Sequence, residues 1–141
     1  LSRAFPGQPS RGAFLGAAAA GLLLAGCLGG PKDYFSYAAA SAPSSATAGI
    51  ADAMRRCWFS GEPAFSGYIY APELNSYSGR PRILLLPKGA PGGLPQLVVS
   101  AEAAGRGSEV KLFGPLLGTS EGPRIRADIA RWAAGSSACQ A

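Results

Sequence analysis

The sequence contains no histidine, a single methionine and few charged residues, 15% of the total. Without imidazole, Ser-His-Asp and Cys-His catalytic arrangements cannot form. The commonest partner of thiols in zinc sites is also missing. No Gly-x-Ser-x-Gly elbow and no glycine-rich phosphate loop occurs. Acidic residues are scarce, eight against thirteen basic, and none lies within 1–26. The net charge of +5 is nevertheless small, and the basic residues are scattered rather than gathered into a stripe. Nucleic acid is therefore not the expected partner, and a solvated surface accounts for the excess. Long hydrophobic runs are absent too. The apolar stretch Ala13–Leu24 falls short of the ~20 residues a membrane-spanning helix needs. What the chain has in quantity is glycine, 20 residues, and proline, 12, which make it rich in loops.

The N-terminal segment carries an address. Arg3 and Arg11 precede the apolar stretch, and small residues follow it. This order of charged, apolar and small-residue regions reads as a secretory signal peptide over residues 1–26. Leu24-Ala25-Gly26-Cys27 stands directly behind the apolar run. It resembles the lipobox of bacterial lipoproteins, in which a leucine precedes two small residues and a cysteine. The resemblance implies that the Cys27 thiol takes a diacylglycerol, that cleavage follows Gly26, and that Cys27 becomes the new N-terminus. The competing reading is an ordinary cleaved signal peptide with a chance cysteine. Two acyl chains would give a stable anchor where one would give only reversible binding. Leu28, rather than an aspartate, follows the cysteine, which points to the outer membrane, facing the periplasm of the bacterial cell envelope. With Cys27 lipidated, Cys57 and Cys139 remain as a pair in an oxidising compartment, and a disulfide between them is expected. A metal pair is the weaker alternative, since no histidine accompanies them.

Residues 27–46 read as a flexible tether, because Ser, Ala, Gly and Pro dominate and bury too little to order themselves. Tyr34, Phe35 and Tyr37 interrupt it, as rings at the membrane interface or packed on the domain. Residues 47–141 are of single-domain size. A helix is expected from Thr47 to Trp58, because Ile50, Met54, Cys57 and Trp58 form one stripe, with Ser45 or Thr47 as its cap. Phe65, Tyr68, Ile69 and Tyr70 suggest a short strand. Residues 82–86, 96–102 and 109–113 read as three better strands, the last two joined as a hairpin through Gly105. A second helix is expected over 123–134, with Ile125, Ile129 and Trp132 inward and Arg124, Arg126, Asp128 and Arg131 solvated. Gly135 is its stop. The expected fold is therefore α+β, order α-β-β-β-α: a three- or four-stranded antiparallel sheet packed on two helices.

Chemistry is sparse. A glycosidase needs two carboxyl groups across a cleft, and Glu62 and Glu73, flanking an aromatic segment, are the best pair; both also read as solvated loop residues. That segment holds Trp58, Phe59, Phe65, Tyr68, Tyr70 and Tyr77. Trp58, Phe65 and Tyr68 read as core. Tyr70, Tyr77 and Arg80 are the candidate partner-binding residues, since rings give contact area at low entropic cost and guanidinium pairs with carboxylate or phosphate. No catalytic residue, metal ligand or cofactor is assigned. The expected function is a non-catalytic, membrane-anchored binding or scaffolding module that engages an envelope protein or cell-wall glycan. A carrier or sensor of a small apolar ligand would instead need a pocket between sheet and helices.

Overall fold

A computed structural model describes residues 34–75 and 80–140. The chain runs β1 (Phe35–Ala39), α1 (Pro43–Cys57), β2 (Tyr68–Glu73), β3 (Arg82–Pro87), β4 (Leu97–Ala104), β5 (Gly107–Phe113) and α2 (Gly122–Ala133), with short 3-10 turns at Pro63–Phe65 and Pro115–Gly118. The strands form one antiparallel sheet in the order β1-β5-β4-β3-β2. The α+β class with two helices on a small antiparallel sheet is as expected, but the sheet has five strands and the order opens with a strand.

The extra strand is β1, inside the stretch 27–46 that reads as a tether. Its alternation is weak in sequence because Ala38 and Ala39 do not distinguish the two faces, leaving only Phe35 and Tyr37 to mark one. Pairing with β5 in unbroken register, Tyr37 opposite Val110, turns that alternation into a half-buried face. Gly107 makes the approach feasible: a Cβ there would run into the Ala39 carbonyl. The first helix also begins earlier than expected, with Pro43 in its first turn, where a missing N–H costs nothing. Its N-cap is Ala42, without a side-chain cap. Neither Ser45 nor Thr47 caps it; Thr47 lies inside the helix and its hydroxyl donates to the Pro43 carbonyl at 2.8 Å.

The β4–β5 hairpin matches expectation. Ala104 pairs with Gly107, leaving a two-residue turn in which Gly105 takes φ +58°, the sign such turns require. The second helix ends as its sequence suggests: Gly135, at φ +96°, donates to the Trp132 carbonyl while Ser136 donates to that of Arg131, a Schellman closure.

Both helices cover one face of the sheet. Ile50 and Met54 of α1, Ile125, Ile129 and Trp132 of α2, and Ile83, Leu85, Leu97, Val99, Val110 and Leu112 of the strands fill the space between the layers. At one end Trp58 stacks on Phe65, ring centroids 4.4 Å apart and nearly parallel, and lies 5.1 Å from Trp132. Trp58 and Phe65 are buried, as expected of core residues, and Tyr68 is half-buried.

Asp128 departs from the expected solvated side of α2. It is only 2% exposed. It accepts a hydrogen bond from the Trp58 indole Nε1 at 2.9 Å and from the Arg131 guanidinium. A buried carboxylate requires such partners, and position 128 sits three residues after Ile125, on the inward stripe.

A disulfide joins Cys57 to Cys139, as expected, closing 82 residues. The tail it holds is bound by more than sulfur. Arg131 donates to the Ala138 and Cys139 carbonyls, and Trp132 Nε1 donates to Ala138 at 2.8 Å.

Candidate functional site

Among the described residues no helix covers the second face of the sheet. Register fixes what lies on it, since alternate residues of each strand share a face. Ala71, Leu84, Val98 and Phe113 stand opposite one another across β2, β3, β4 and β5, forming an apolar row. Glu73, Arg82, Ser100, Lys111 and Ser36 form a polar row across all five strands. Ile69 and Leu86 extend the apolar end. Glu102, Glu109 and Ala38 close the polar end. Bare faces of antiparallel sheets normally read as polar; half of this one does not. Val98 is buried at 9% yet stands outside the helix-covered core, and Phe113 is 39% exposed.

An open concavity of about 640 Å³ lies on this face, lined by Arg80, Arg82, Val98, Ser100, Glu102, Lys111 and Phe113. Its charges are largely paired. Arg82 bonds Glu73. Lys111 reaches Glu102 at 3.0 Å and Glu109 at 3.9 Å. Glu102 and Glu109 are direct cross-strand neighbours, a repulsive placement that Lys111 relieves. The Lys111 hydrogen bond holds the Glu102 carboxyl below the usual carboxylate range, and the same contact raises the Lys111 ammonium. Arg80 forms no ion pair within 4.0 Å among the described residues, and its field adds to the lowering of Glu102.

Of the expected partner-binding residues, Tyr70 and Arg80 are described, and they lie in different places. Arg80 lines the bare-face concavity. Tyr70 lies on the other face, in register with Leu85 of the core. Its ring is 5.2 Å from Phe59 and its hydroxyl donates to the Ala51 carbonyl at 2.7 Å; burial pushes the phenol upward. These contacts hold β2 against α1. Tyr77 and Cys27 lie outside the described residues. Phe113, Val98, Ser100 and Lys111 carry no joint signal in the sequence, and their shared face becomes visible only with the strand register.

Glu62 and Glu73 face different regions. Glu62 accepts from Arg124 of α2 at 3.2 Å, which lowers its carboxyl. It borders a separate concavity of about 200 Å³ beside Phe59, Tyr68 and Lys88. Glu73 is held by Arg82 on the bare face. The pair does not converge on one cleft. Every described carboxylate lies within 4.0 Å of an arginine or lysine. Among the described residues no group of three or more His, Cys, Asp or Glu gathers as a metal cluster would require, and no described helix is long and apolar enough to cross a membrane.

A scan against protein-family models and searches of curated proteins and solved structures find no match to this chain.

Proposed function

We propose that the chain is a lipid-anchored lipoprotein of the bacterial cell envelope, held by Cys27 at the outer membrane and facing the periplasm. In this reading it is a non-catalytic module that binds an envelope protein on its bare sheet face. The observation that carries the binding role is the apolar row Ala71–Leu84–Val98–Phe113 beside the charged row Glu73–Arg82–Ser100–Lys111. Binding surfaces combine an apolar centre with a polar rim in this way. A partner side chain laid over Val98 and Phe113 would be flanked by Arg80 and Glu102, both exposed enough to exchange water for partner groups. Each described carboxylate is paired with arginine or lysine, which disfavours the protonated form that a general acid must keep at neutral pH.

The anchor and the binding face are tested together. Metabolic labelling with an alkyne fatty acid should mark the wild type and leave Cys27→Ser unlabelled and released from membranes. A labelled, membrane-bound Cys27→Ser protein would overturn the anchor. Leu84→Lys/Phe113→Lys should lose envelope proteins that co-purify with the wild type while melting at the same temperature. Unchanged co-purification would overturn the binding face.

A further inference from the structure

The sheet has two edges, and they are treated differently. The edge strand β2 carries Pro72, which removes a donor, and ends at the charged pair Glu73–Arg82. These are devices that discourage strand addition. The other edge, β1, has none. Phe35-Ser36-Tyr37-Ala38-Ala39 contains no charge, no proline and no glycine, and its ladder with β5 runs without a bulge. Among the described residues no segment pairs with its outer side. Ser36 and Ala38 are exposed, and Phe35 is 44% exposed beneath the Arg126 guanidinium, 4.8 Å from its centroid. The outward N–H and C=O groups of such a strand accept another extended strand.

We propose that β1 pairs antiparallel with β1 of a second copy of this chain, about a two-fold axis through Tyr37. The sequence of the strand is self-complementary in that register. Tyr37 meets its own equivalent. Phe35 falls opposite Ala39 of the second copy and Ser36 opposite Ala38, so both face small side chains, while the two Tyr37 rings form an aromatic cross-strand pair at the axis. Any register centred between two residues would set outward-pointing backbone groups against inward-pointing ones, so an axis through a residue is required. The axis stands perpendicular to the sheet, which keeps helices on one side and both bare faces on the other. The interface is isologous, as closed dimers demand, and it leaves the protected β2 edges outermost. It does not depend on the partner-binding role of the bare face.

The test uses the full chain in mild detergent, with the mass of its protein component followed by light scattering against concentration. The wild type should rise toward twice the single-chain mass. Ser36→Lys/Ala38→Lys places lysine opposite lysine across the axis and should stay at the single-chain mass. Ser36→Glu/Ala38→Lys differs only at residue 36; it sets glutamate opposite lysine, and should reach the doubled mass at lower concentration than the wild type. Within one chain these positions face Lys111 and Glu109, so the second variant is also matched to its own sheet and serves as the folding control. A wild type that keeps the single-chain mass at every concentration overturns the proposal. Two double variants that associate alike also overturn it, as does added mass that belongs to a different protein.

Discussion

Replacing Asp128 by alanine should cost this domain a large share of its stability. Asp128 is the single buried acceptor for the Trp58 indole N–H at 2.9 Å. Trp58 is itself 1% exposed, packed between Phe65 and Trp132. A buried donor left without a partner costs about 1–3 kcal/mol. The Arg131 guanidinium adds less. Its side chain is one-fifth exposed and keeps the Ala138 and Cys139 carbonyls, so losing its carboxylate adds about 1 kcal/mol. The sum, roughly 2–4 kcal/mol, is considerable against the ~5–15 kcal/mol of a typical domain. It should lower the melting temperature by on the order of 15 °C. Asp128→Asn keeps an acceptor for the indole and should lose less than half as much. In Trp58→Phe/Asp128→Ala the two losses should be less than additive, because the second change removes a partner already gone. Asp52→Ala is the control: its pairs with Arg55 and Arg56 are exposed and should count for less than about 1 kcal/mol. Thermal and urea melts followed by circular dichroism read these four variants and the Trp58→Phe single variant that the comparison of losses requires. An Asp128→Ala protein within about 0.5 kcal/mol of wild type, the usual range for surface changes, would refute the assigned role. So would an Asp128→Asn protein equally damaged.

Two further outcomes are expected. The carboxyls of Glu62 and Glu102 are held low by Arg124 and Lys111. Their contribution is complete above the unfolded value of 4.5 and is lost as pH falls through the lower folded values. Melting temperature should therefore decline below that value, and Lys111→Met should flatten part of the decline; an acid profile unchanged by Lys111→Met would contradict it. Reducing the Cys57–Cys139 bridge, which closes 82 residues, should cost up to about 4 kcal/mol in the chain-entropy view. It should also speed hydrogen exchange in residues 136–140 more than in β4. Unchanged exchange in the tail would mean that Arg131 and Trp132 hold it alone.

The sequence made the second helix legible because Ile125, Ile129 and Trp132 repeat at helical spacing and Gly135 closes it. The hairpin was legible because Gly105 sits between two β-rich runs. The paired cysteines followed from arithmetic. What escaped had physical reasons. The strand β1 has only Phe35, Tyr37 and Ala39 on its inner face, and its cover comes from α2, far along the chain. Its local composition therefore reads as linker. Asp128 looked solvated because charge outweighed its place on the inward stripe. Tyr70 looked available because a hydroxyl bond to the Ala51 carbonyl has no sequence signature. The bare face depends on register across four strand pairings. Arg80 was picked out by its neighbourhood, but Phe113, Val98 and Lys111 join it only when the strands are aligned.

The most direct test of the binding role is photo-crosslinking in the native cell from a reactive amino acid at position 113, with the same residue at position 52 on the helical surface as reference. The bare-face account predicts one recurrent envelope protein captured from position 113 and not from position 52. No adduct from position 113, or the same adducts from both positions, would contradict it.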